Sequence, residues 1–78
     1  MLEIGQIFNK NGKEYCLVDL IFYDSIQYAL FLIESDKVDY KFFAVHDDGQ
    51  GYTLSEIADE QLNNILFEIF EEKNDGAD

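Results

Sequence analysis

The chain has 78 residues, 47% of them hydrophobic and 15% aromatic, which is enough for one core and too little for a second domain. Seventeen acidic residues stand against five lysines and no arginine, giving a formal charge of −12. That balance argues against direct binding to nucleic acid or to anionic membranes, because phosphate contacts need clustered cations and an anionic domain repels a polyanion.

Cys16 is the only cysteine, so no internal disulfide and no cysteine-based metal framework can form, and a reducing compartment is expected. The N-terminal stretch MLEIGQIFNKNGKEY has no basic segment followed by an apolar one, and the apolar runs are too short and too interrupted to span a bilayer. The expected location is the cytoplasm. Proline is absent, so the turns fall to Gly and Asn.

From Leu2 to Lys10 the apolar residues Leu2, Ile4, Ile7 and Phe8 predict a first strand, with Gly5 interrupting it. Asn11-Gly12 is the strongest local signal in the chain, because both residues tolerate the positive φ of a type I′ hairpin turn. With those two residues as the loop, Lys10 lies opposite Lys13, Phe8 opposite Tyr15 and Ile7 opposite Cys16.

The stretch from Tyr15 to Ile33 reads as a second hairpin, broken only by Asp24 and Ser25. In its first strand the even positions Cys16, Val18, Leu20 and Phe22 are uniformly apolar, which assigns them to the core face by the two-residue period. The following strand, Ile26 to Ile33, is apolar on both faces. One helix cannot cover both, so the second face, with Leu17, Ile21, Tyr23, Phe31 and Phe43, is the expected partner-binding or self-association surface. The competing reading is that strand curvature and the N-terminal strand cover it locally.

Residues Glu34 to Asp39 form a polar loop, Tyr40 to His46 a fourth strand, and Asp47 to Gly51 a turn leading into a short fifth strand at Tyr52–Leu54. Leu62, Ile65, Leu66, Ile69 and Phe70 repeat with the spacing of one buried helical stripe. Asp59 is the expected N-cap and Ser55 the competing one. The resulting expectation is one α+β domain over 1–73, an antiparallel four- to five-stranded meander with a C-terminal helix on one face, followed by a frayed acidic tail at 74–78.

No constellation has the spacing of a known chemistry. Asp47 and Asp48, near Glu56 and Asp59, are the nearest approach to a metal site, but adjacent carboxylates diverge and the register is not that of a calcium loop. His46 is the only histidine and so the side chain on which any acid–base mechanism would lean, yet neither Cys16 nor Ser25, Ser35 or Ser55 has the context of a nucleophile. Gly49-Gln50-Gly51 lacks the lysine and the further glycine of a phosphate loop. The expected function is therefore non-catalytic and without cofactor: a protein–protein interaction module whose acidic field suits a basic protein surface of unknown identity, homodimeric in one version. An anionic nucleic-acid mimic is the alternative, and a divalent-cation binder the weaker one.

The order of elements also carries a resemblance. A turn with Gly12-Lys13-Glu14-Tyr15, the strand pair LVDLIFYDSIQYALFL, the aromatic strand Tyr40 to Val45, and Leu54-x-x-Ile57-x-Asp59 running into an acidic helix ending Phe70-Glu71-Glu72 resemble the YrzB-like family of short acidic bacterial proteins. The chain departs from that pattern where a proline usually follows the third strand, since Glu34 follows Ile33. The resemblance implies a meander-plus-helix fold and supplies no catalytic residues.

Overall fold

The computed structural model describes residues 2–75. Five strands, β1 (Ile7–Lys10), β2 (Lys13–Tyr23), β3 (Ile26–Glu34), β4 (Val38–Asp47) and β5 (Tyr52–Glu56), precede one helix, α1 (Glu60–Asp75). The strands pair in chain order as an antiparallel, curled meander, so β3 lies at the centre and β1 and β5 at the edges. The fold is α+β, as the sequence predicts.

Local chemistry sets both two-residue hairpins. Asn11 and Gly12 take φ values of 53° and 78°, and the register Ile7↔Cys16, Phe8↔Tyr15, Lys10↔Lys13 follows. Asp24 and Ser25 do the same work between β2 and β3 with φ of 53° and 67°. Asp tolerates this region and Ser does so poorly. Ser25→Gly is therefore expected to raise stability by about 0.5–1 kcal/mol, measured as the urea midpoint at constant m.

The first strand is shorter than the apolar pattern of Leu2 to Lys10 implies. Gly5, at φ 93°, turns the chain, and the segment before β1 instead crosses to the sheet's open face, where Leu2 is buried. Two backbone bonds hold this segment beside β2, Gly5 N–H donating to the Leu17 carbonyl and Leu17 N–H to that of Gln6.

The facing of β2 is the main correction. Leu17 pairs with Phe31 and Asp19 with Leu30, which leaves Val18 as an extra residue in a β-bulge. The bulge changes the parity of the strand at its middle. Tyr15 and Leu17 before it face the open side, whereas Asp19, Ile21 and Tyr23 after it face the helix. Buried positions are thus Leu17, Asp19 and Ile21, and Phe22, expected in the core, is 72% exposed.

The sheet consequently has two small cores. On the helix side Ile21, Tyr28, Leu30 and Phe42 surround Leu66, with Leu62, Phe67, Ile69 and Phe70 packed around them. Phe67, outside the predicted stripe, meets Phe42 edge to face at 4.7 Å between centroids. On the other side Leu2, Leu17, Ala29 and Phe31 are buried, flanked by Phe8, Tyr15, Phe43 and Val45. The both-faced apolar strand is explained by this arrangement: curvature and the N-terminal segment cover its second face.

Asp59 caps α1, its Oδ1 accepting the Gln61 and Leu62 amides at 2.9 and 3.4 Å, while Ser55 lies in β5. The helix runs through Asn74 and Asp75. The remaining residues of the expected tail, 76–78, lie outside the described residues. At the helix end Lys73 Nζ reaches Asp19 Oδ1 at 2.9 Å, giving the only buried charged residue among the described residues a partner. Lys73→Met is expected to cost about 1–2 kcal/mol at pH 7, less than a fully buried pair because the lysine is half-exposed; Asp19→Asn in the same chain should recover most of it in chemical denaturation.

Candidate functional site

The open face of the curled sheet carries a cleft of about 850 Å³ at the end where the β1–β2 turn and the β3–β4 loop come together. Alternation along each strand dictates its lining. Phe8 and Lys10 share one face of β1, Lys13 and Tyr15 the same face of β2, and Lys41 and Phe43 that face of β4, so three times a lysine stands two residues from an aromatic. Lys37 joins them from the β3–β4 loop.

The floor is aromatic. Phe31, 1% exposed, is met edge to face by Phe8, Tyr15 and Phe43 at centroid distances of 6.0, 6.2 and 5.6 Å. The rim is cationic: four of the five lysines in the chain line this cleft, against the three carboxylates Asp36, Asp39 and Glu56. A local surplus of one positive charge therefore sits within a molecule of formal charge −12. The reverse face of the same sheet end is anionic, because Glu14 and Glu34 pair opposite each other there.

Two features of the lysines bear on chemistry. Lys41 Nζ bonds Glu56 Oε1 at 2.6 Å and stands 5.6 Å from the centre of the Phe43 ring, so its ammonium lies between a carboxylate and a π face. The hydrogen bond and charge of Lys41 hold the Glu56 carboxyl below its usual range. A depressed carboxylate contributes stability above its unfolded pKa and loses it as pH falls through the folded one, so this contact is intact at neutral pH. Lys10, Lys13 and Lys37 make no ion pair among the described residues, and Lys10 and Lys13 face each other directly across the hairpin.

The residues expected as a partner surface are divided between the two faces, three on the open side and two under the helix. Leu17 and Phe31 are 1% exposed on the open side with Phe43 beside them, whereas Ile21, 4% exposed, and Tyr23 lie under the helix. The bulge at Val18 places Leu17 and Ile21 on opposite faces despite their common parity. The cleft lysines were missed because a lysine near a turn reads as a solvated charge. The repeated lysine–x–aromatic step at Phe8/Lys10, Lys13/Tyr15 and Lys41/Phe43 is the signal that finds them.

No protein-family model, curated protein or solved structure matches the chain.

Asp47 Oδ1 accepts the Gly49 amide, and Asp48 Oδ1 those of Gln50 and Gly51, each at 2.9 Å, so the acidic turn satisfies its own backbone. Among the described residues no three His, Cys, Asp or Glu side chains converge as a metal ligand set. Cys16 is half-buried in the same cross-strand row as Tyr40, six residues along β4 from His46, a separation of about 20 Å that allows no proton transfer between them. No helix among the described residues is long and apolar enough to cross a membrane.

Proposed function

We propose that this protein is a non-catalytic, cytoplasmic interaction module that receives an acidic protein partner on the open face of its sheet. One observation carries this reading: four of the five lysines gather around one aromatic-floored cleft, leaving fourteen carboxylates and a single lysine elsewhere in the chain. A positive rim steers an anionic segment inward and the surrounding carboxylates exclude other approaches, so charge supplies orientation and selectivity. The aromatic floor offers apolar area for an anchor, the kind of contact that dominates interface energies.

The triple variant Lys10→Glu/Lys13→Glu/Lys37→Glu tests it. A partner captured from host-cell extract by the wild-type chain, then purified, should bind the wild type and not the triple variant, with affinity falling as salt rises. Equal binding to both chains overturns the reading.

A second reading has its own observation. Outside the cleft remain fourteen carboxylates and Lys73, which is itself paired with Asp19, so the acidic surface is nearly free of compensating charge. A surface of this kind suits an anionic mimic that occupies a nucleic-acid-binding protein. The same variant separates the two, since a mimic retains or gains affinity for its basic partner when three lysines become glutamates.

A further inference from the structure

Within a chain of seventeen carboxylates, three of five lysines have no acidic partner among the described residues, and all three lie on one cleft. Lys10 and Lys13 also face each other, an arrangement that costs stability in a hairpin and is relieved when an anion lies between them. The fourth lysine shows which anion such a group accepts here: Lys41 holds the carboxylate of Glu56 at 2.6 Å.

From these observations we infer that the cleft binds an extended acidic peptide segment through its carboxylates, an apolar side chain of that segment resting against the Phe8, Tyr15 and Phe43 rings, and that Glu56 is a built-in competitor at the Lys41 end. The inference rests on the functional reading above and adds the ligand's chemistry and a control element. Lysines present point charges without the planar fork of arginine, which suits carboxylates at irregular spacing better than a fixed bidentate ligand. The four lysines are confined to one end of one face, with Glu14 and Glu34 behind them, so a short segment with a few carboxylates fits where a long polyanion meets repulsion beyond the rim. Glu56 sits on the edge strand β5, paired to Phe43 and exposed, free to swing aside when a ligand carboxylate replaces it at Lys41.

The experiment uses the full chain, titrated with a synthetic Glu-Glu-Phe-Glu-Glu peptide and followed by amide NMR shifts. Shifts are expected at the β1–β2 turn, the β3–β4 loop and Lys41–Phe43, with affinity falling as salt rises. Glu56→Gln should tighten binding roughly two- to fivefold by removing the competitor. Lys13→Glu should weaken it about tenfold while the melting temperature stays level or rises, because the facing lysines become an opposite-charge pair. A merely structural role for Lys13 predicts no such split. Equal binding of a Gln-Gln-Phe-Gln-Gln peptide, or wild-type affinity in Lys13→Glu, overturns the carboxylate assignment, and wild-type affinity in Glu56→Gln overturns the competitor. Phenylbutyrate binding as tightly as the peptide makes this a small-molecule site and overturns the peptide assignment. If no acidic peptide binds but the lysine triple variant still loses its captured partner, this inference fails and the functional reading stands.

Discussion

Phe31→Ala is expected to lower stability by about 3–5 kcal/mol and the melting temperature by roughly 20 °C. Phe31 is 1% exposed on the central strand, and three rings at 5.6 to 6.2 Å converge on it edge to face. Truncation removes its own transfer energy, leaves a cavity that a curled sheet can only partly close, and takes away the contact that orients Phe8, Tyr15 and Phe43. A domain of this length has a total stability of about 4–12 kcal/mol, so a large fraction of the chain unfolds on warming. Phe31→Leu keeps most of the volume and should cost about 1–2 kcal/mol. The exposed Val38, at 65%, is the control, with Val38→Ala within about 0.5 kcal/mol. A loss below 1 kcal/mol for Phe31→Ala in urea denaturation would show that the open face is not a packed core.

Single-residue deletions in β2 are expected to separate just as sharply. Removing Val18 leaves Leu17 opposite Phe31 and Asp19 opposite Leu30 as consecutive pairs, so every remaining side chain keeps its native face. The cost is the half-buried valine and part of the local twist, about 1–2 kcal/mol. Removing Leu20 does the reverse. Ile21 shifts to the open side and Phe22 to the helix side, breaking the core around Leu66, and no cooperative transition is expected. Circular dichroism melts of the two deletions suffice. If both unfold, the bulge is required for curling the sheet, and if both fold, the facing of β2 is not fixed by its pairing.

The legible part of the fold was the part governed by short-range chemistry. Asn11-Gly12 determines the first hairpin and its register because positive φ at two consecutive positions admits few other turns. Asp59 and the stripe of Leu62, Ile65, Leu66, Ile69 and Phe70 determine the helix, because a capping oxygen and a 3.6-residue period act within one or two turns, although Phe67 rather than Ile65 joins the packed cluster. The twofold apolar character of β3 is matched by a central strand buried on both faces, although its register and facing follow from pairing and not from the sequence.

What covers the second face was not decided locally. An apolar face reads the same in sequence whether a partner, a helix or the chain's own curvature closes it, and here the closure depends on Leu2 returning across the sheet and on a bulge at Val18. A bulge leaves no periodic trace, since one extra residue only makes two good alternations look like a single different one. The cleft was hidden for a related reason: Lys13, Lys37 and Lys41 belong to separate strands and loops, and their sharing of one face with Phe8, Tyr15 and Phe43 is a product of register across three strand pairs. Sequence by itself determined the elements, the turns and the acidity; only the tertiary structure decided which face each half of β2 presents and where the few positive charges meet, because both depend on pairings between residues distant in the chain.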